Sequence, residues 1–106
     1  MVEVENENHF LREIRSSDFV VVKFHLERIK ACRKTAKVYE KLQQSYPQIR
    51  FLIIDVEKFS KISSDFDVRI APTFAILKDE YEIARVNGPS ITQLKQVMNL
   101  VLQEYY

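Results

Sequence analysis

The chemistry available to this chain gathers in one stretch, Glu27 to Lys34, "ERIKACRK". It holds the sole cysteine, Cys32, among the basic side chains Arg28, Lys30, Arg33, Lys34 and Lys37. The thiolate is the form of cysteine that attacks disulfides, and nearby cations favour it when the sulfur is reachable. Cys32 therefore has two readings. It is either a monothiol open to glutathionylation or redox sensing, or a small buried apolar residue, the common fate of a free cysteine. One cysteine excludes an intramolecular disulfide, a cysteine-based zinc site and an iron–sulfur cluster.

Little else on the chain offers catalysis. His9 and His25 are the only histidines. His25 closes an apolar run with no second ligand beside it, so a packed or surface histidine is expected, with no metal and no cofactor. Lys23 stands inside "FVVVKFHL". A lysine in a buried strand costs several kcal/mol unless it is paired or its stem reaches water. Lys23 is therefore expected either to snorkel and prop a pocket or to pair with Asp55 or Glu27. The basic cluster reads as a solvated helix face or as a patch for an anion or an acidic partner at a helix N-terminus.

Hydrophobic periodicity places these residues. "MVEVE" allows a short edge strand, and Phe10, Leu11 and Ile14 give a short amphipathic helix over Asn6 to Arg15. "DFVVVKFHL" and "IRFLIIDV" are near-continuous apolar runs, as expected of strands covered on both faces. Cys32, Thr35, Ala36, Tyr39, Leu42 and Tyr46 predict a helix from Ile29 to Tyr46, ended by Pro47. "EKFSKISSDF" predicts a short helix. "PTFAILKDEYEIARV" predicts a hairpin with a longer or less regular connection, because Lys78 to Glu80 lacks the glycine common in two-residue loops. "SITQ" has capping-box spacing, and Ile91, Leu94, Val97, Met98, Val101 and Leu102 form the stripe of a last helix. The order (β)αβαβαββα implies an α/β fold, a mixed central sheet sandwiched by helices.

Composition bounds the rest. A chain of 106 residues with 46% hydrophobic content is expected to form a single domain over 1–106 with a proper core. The net charge of +1 points to neither nucleic acid nor an anionic membrane. "MVEVENENHF" does not read as a signal peptide, and no apolar run is long enough to span a bilayer. A cytoplasmic protein, monomeric by preference, is the expectation.

In this order and length the chain resembles the thioredoxin-like superfamily. "VVVKFHLERIKACRK" is similar to the family's strand and active-site turn, and "YPQIRFLIIDVEK" to its third strand. "DVRIAPTFAILKDEYEIARVNG" is similar to its proline loop and hairpin. The similarity runs over residues 10 to 104. It implies the thioredoxin fold, with Pro72 as the family's cis-proline.

It also implies a lost reaction. Where the family has Trp-Cys-Gly-Pro-Cys, this chain has Arg28, Ile29, Lys30, Ala31 and Cys32. The attacking cysteine is replaced by Ile29, the resolving cysteine remains as Cys32, and the buried carboxylate is replaced by Lys23. Disulfide exchange starts from a thiolate, so the dithiol mechanism has no first step here. The resemblance then implies a redox-inactive adaptor or co-chaperone-type module that binds protein, an acidic surface for preference. Its contact face would be Arg28, Ile29, Lys30, Ala31, Ile70, Ala71, Pro72 and Thr73, with Lys23 and Pro72 structural. A monothiol protein using Cys32 and a phosducin-like cofactor of the cytosolic chaperonin are the alternatives. This chain departs from the second in lacking that branch's long N-terminal helical extension.

Overall fold

The computed structural model describes residues 1–105. Its elements are β1 (Val2–Glu3), α1 (Glu7–Ile14), β2 (Phe19–His25), α2 (Lys30–Leu42), β3 (Ile49–Asp55), α3 (Ser60–Asp65), β4 (Thr73–Lys78), β5 (Tyr81–Asn87) and α4 (Ile91–Tyr105). One sheet runs in the order β1-β3-β2-β4-β5. β1 and β2 lie parallel to β3, while β4 runs antiparallel to both β2 and β5. This is the mixed, helix-flanked sheet that the sequence predicts.

β2 is central, and all seven of its residues are buried. That position explains its unbroken apolar run, since both faces of the strand meet helices. Alternation along β2 divides the core. Phe19 and Val21 join Tyr39, Leu42, Phe51, Phe74, Leu94 and Met98 beneath α2 and α4. Val20, Val22 and Phe24 join Phe10, Ile14, Leu52, Ile54 and Ile62 beneath α1 and α3. By the same alternation Lys23 points to the α2 side.

Three boundaries differ from expectation. α2 ends at Leu42 and tightens into a 3₁₀ turn over Gln43–Ser45. Pro47 disfavours helical backbone at Tyr46, so the last turn cannot complete. α3 covers only six residues, because Asp55 accepts the backbone N–H groups of Glu57 and Lys58 at 2.9 Å and holds that segment in a turn. The hairpin is tighter than the sequence suggests. Lys78 pairs directly with Tyr81, and Asp79 and Glu80 take φ of 50° and 76°. Two left-handed non-glycine residues thus close a two-residue loop whose twist matches the strands. The irregularity lies in the strands instead, where Leu77 faces Glu82, Ile76 faces Ala84, and Ile83 bulges between them. At the start of α4, Ser90 Oγ accepts the Gln93 amide at 3.1 Å, one half of the predicted capping box.

Candidate functional site

Phe24 of β2 pairs with Thr73 of β4, so the C-terminal end of β2 and the start of β4 lie at the same end of the sheet. The segment from Leu26 to Ala31 and the Ile70–Pro72 loop both emerge there. The Ile29 amide bonds to the Leu26 carbonyl at 3.0 Å, and the amides of Cys32 and Arg33 bond to the Ile29 carbonyl at 3.0 and 3.1 Å. Ile29 is the N-cap of α2, with extended backbone and no side-chain cap, and it is half-buried. Arg28 is exposed and pairs with Glu57 at 3.0 Å, which raises the guanidinium pKa.

Cys32 is fully buried, with its sulfur accepting the Leu26 amide at 3.4 Å. Placed three residues into α2, on the face turned to the sheet, it meets Lys23 from below. Lys23 is also 0% exposed. Its Nζ donates to the Cys32 carbonyl at 2.9 Å and lies 5.8 Å from the centre of the Tyr39 ring. Burial lowers its pKa from 10.5 to about 8, with the Cys32 sulfur and the Glu27 carboxylate acting in the opposite direction. Both sequence-based expectations for Lys23 need correction. It does not reach water, and among the described residues it has no ion pair with Asp55 or Glu27. A backbone carbonyl and an aromatic face serve instead. The carbonyl also accepts the Thr35 hydroxyl at 3.0 Å, so two side-chain donors converge on it in the first turn of α2.

Around this centre, His25 is buried and its Nε2 lies 2.7 Å from a Glu27 carboxylate oxygen, which holds the Glu27 pKa below the usual carboxylate range. Its Nδ1 has no hydrogen-bond partner among the described residues. A cavity of about 380 Å³ beside it is lined by Glu3, Glu27 and Asp55 together with Met1 and Ile53. No group of three or more metal-ligating side chains among the described residues could hold a metal ion.

On the proline loop the Ala71–Pro72 peptide is cis. The Thr73 hydroxyl donates to the Ile70 carbonyl at 2.7 Å, and the Pro72 carbonyl accepts the Gly88 amide at 2.9 Å. Pro72 and Thr73 are buried, so their side chains add no surface, whereas Ile70 is 51% exposed and Ala71 half-exposed. Of the predicted contact residues, Arg28, Ile29, Lys30, Ala31, Ile70 and Ala71 therefore reach the surface at this end, and Glu27 is exposed beside them.

Two residues that sequence reasoning passed over organise the site. Tyr39 is buried, and its hydroxyl proton is shared between the carbonyls of Val21 at 3.1 Å and Leu52 at 2.7 Å, tying α2 to both inner strands. Its helical spacing marked it as core but not as a donor. Arg85 reaches back from β5 to the carbonyls of Asp67 and Phe66 while pairing with Glu82, and so buttresses the approach to the proline loop. No local pattern around Arg85 signals that role.

The Thioredoxin family model matches residues 1–100. The chain belongs to the thioredoxin family. It is similar to thioredoxin H4-1 of Oryza sativa subsp. japonica, 33% identical over 87% of this chain and 71% of that one. A match to thioredoxin H4-2 of the same plant covers only 62% of that protein. Thioredoxin of Ictalurus punctatus is 31% identical over 93% of this chain and 96% of its own length. Among solved structures, mitochondrial thioredoxin 3 of Saccharomyces cerevisiae superposes with a TM-score of 0.86 at 27% identity, over 93% of both chains. Plasmodium falciparum thioredoxin reaches 0.89 at 24% identity, over 93% of this chain and 97% of that one, a likeness of fold. Within this thioredoxin frame, the turn that would carry a cysteine pair carries Ile29 and a single, buried Cys32.

Proposed function

We propose that this chain is a redox-inactive thioredoxin-family module that binds another protein through the end of the sheet bearing Ile29 and Ile70. One observation carries the reading. At the N-terminus of α2, where a thiolate would gain from the helix dipole, stands an isoleucine, and the remaining thiol lies fully buried beneath it. The same burial takes support from the monothiol alternative, which needs a reachable sulfur. Lys23 fills the place of a buried proton acceptor with a cation already engaged to the Cys32 carbonyl.

What is left at this end is an apolar surface beside charge. Ile29 and Ile70 offer aliphatic contact, and Lys30 leaves a cation next to them. Such a surface suits protein contact, with Lys30 favouring an acidic partner rim. Two measurements test the reading. The purified chain with dithiothreitol is expected to give no insulin-disulfide reduction above dithiothreitol alone. Affinity capture from native extract is expected to lose its specific partner on Ile29→Asp. Turnover of insulin, or an unchanged set of captured proteins, would remove the reading.

A further inference from the structure

The exposed side of α2 is a cationic ridge. Lys30, Arg33, Lys34, Lys37 and Lys41 are all exposed. At about 100° per residue they fall within roughly a 100° arc, opposite the buried Cys32, Thr35, Tyr39 and Leu42. They span about 16 Å of helix, with Lys30, Lys34, Lys37 and Lys41 following one another at about 5–6 Å and Arg33 beside them. Among the described residues none of the five forms an ion pair. Arg33 donates to the Glu27 carbonyl, and Glu40 is the one carboxylate on the helix. Most other basic side chains are matched: Arg15 with Glu80, Arg50 with Glu13, Lys61 with Asp65, Arg85 with Glu82. With a net charge of only +1, the surface outside the ridge is net negative.

The ridge has an apolar seat. Val38, 46% exposed, lies at its flank, in a hollow of about 260 Å³ lined also by Lys41, Leu42, Ser45 and Lys95 of α4. Cations thus border an exposed aliphatic side chain on both sides.

We propose that this ridge docks an acidic amphipathic helix of a partner protein, one apolar side chain entering the hollow at Val38 and carboxylates following the cations. The inference rests on the protein-binding reading and extends it away from the Ile29 tip. Carboxylates repeating at i, i+4 and i+7 on a helix match the ridge step for step. No aromatic side chain stands on the ridge to stack on a base, which favours protein over single-stranded nucleic acid. One exposed valine is too little apolar surface to enter a membrane interface.

The test titrates the ¹⁵N-labelled chain with a synthetic peptide carrying Glu at i, i+4 and i+7 and a single Leu. Amide shifts are expected along Lys30–Lys41 and at Lys95, with affinity falling about tenfold or more between low and physiological salt. Lys34→Glu/Lys37→Glu/Lys41→Glu is expected to abolish binding and Val38→Asp to weaken it several-fold, whereas Ile29→Ser, which trims the tip without adding charge beside Lys30, leaves it unchanged. If the triple reversal does not fold, Lys→Gln at the same positions is expected to weaken binding about tenfold. The proposal is overturned by absence of peptide binding, by shifts confined to residues 28–31 and 70–73, or by equal binding to the triple variants. Tighter binding to phosphatidylserine vesicles or to a single-stranded oligonucleotide would overturn it as well. Loss of peptide binding in Ile29→Ser would place the contact at the tip, sinking this proposal and leaving the earlier one standing.

Discussion

The Lys23 ammonium donates to the Cys32 carbonyl at 2.9 Å, with both residues wholly buried. A cation is thus held under the first turn of α2, at the place where this family's turn does its chemistry. Its protonation couples stability to pH. The folded pKa is about 8, against 10.5 for the free group. Between those values the unfolded chain holds more protons, so stability rises with pH, and below about 8 the full penalty applies. The penalty is about 3 kcal/mol. Urea unfolding is expected to show rising stability from pH 8 to 9.5, relative to Lys23→Met, which removes the rise. At pH 7 that variant is expected to be more stable than wild type by about 1–3 kcal/mol. A flat difference between the two proteins over this window would refute the assignment.

The sulfur beneath is expected to be silent. Reaction of Cys32 with a thiol reagent in native buffer should run at least about 100-fold slower than in urea, because access requires local opening. A thiol introduced by Ile29→Cys should behave in the opposite way. It sits at the N-terminus of α2 beside Arg28 and Lys30, so its reaction pKa is expected to fall about one unit or more below 8.5. An unshifted pKa would show that the helix end does not present position 29 to solvent.

Tyr39→Phe leaves the ring and removes the hydroxyl shared by the Val21 and Leu52 carbonyls. A loss of about 1–2 kcal/mol is expected in chemical denaturation, the usual cost of a buried hydrogen bond. A neutral result would mean that the strand carbonyls need no help from α2.

The hairpin carries removable strain. Glu80 holds φ of 76°, where a side chain is disfavoured and glycine is not. Its ion pair with Arg15 is exposed and contributes little. Glu80→Gly is expected to raise stability by about 0.5–1 kcal/mol in thermal melts. Destabilisation instead would show that the Arg15 contact outweighs the backbone strain.

Much of the fold was legible before the structure. The unbroken run Phe19–His25 marked a strand with two covered faces, and Ile91 to Leu102 marked one stripe of a helix, because burial imposes a period on the chain. The tightness of the glycine-free turn was not legible. Composition argues for a looser loop, yet strand pairing from Lys78 to Tyr81 forces Asp79 and Glu80 into left-handed backbone. Arg85 was invisible for a related reason, since the carbonyls it reaches belong to residues far back in the chain.

At the site the division is the same. The sequence by itself determined that no cysteine pair exists, because reactivity belongs to residue identity, and its resemblance to the family put Ile29 at the reactive position. It also placed the cations of α2 on one helical face, because that follows from spacing. Only the tertiary structure decided that Cys32 is sealed, that Lys23 rests on a carbonyl instead of a carboxylate, and that among the described residues the ridge forms no ion pair while most other cations do. Those outcomes depend on which groups the packed sheet brings within 3 or 4 Å, at ranges where desolvation and hydrogen bonding act.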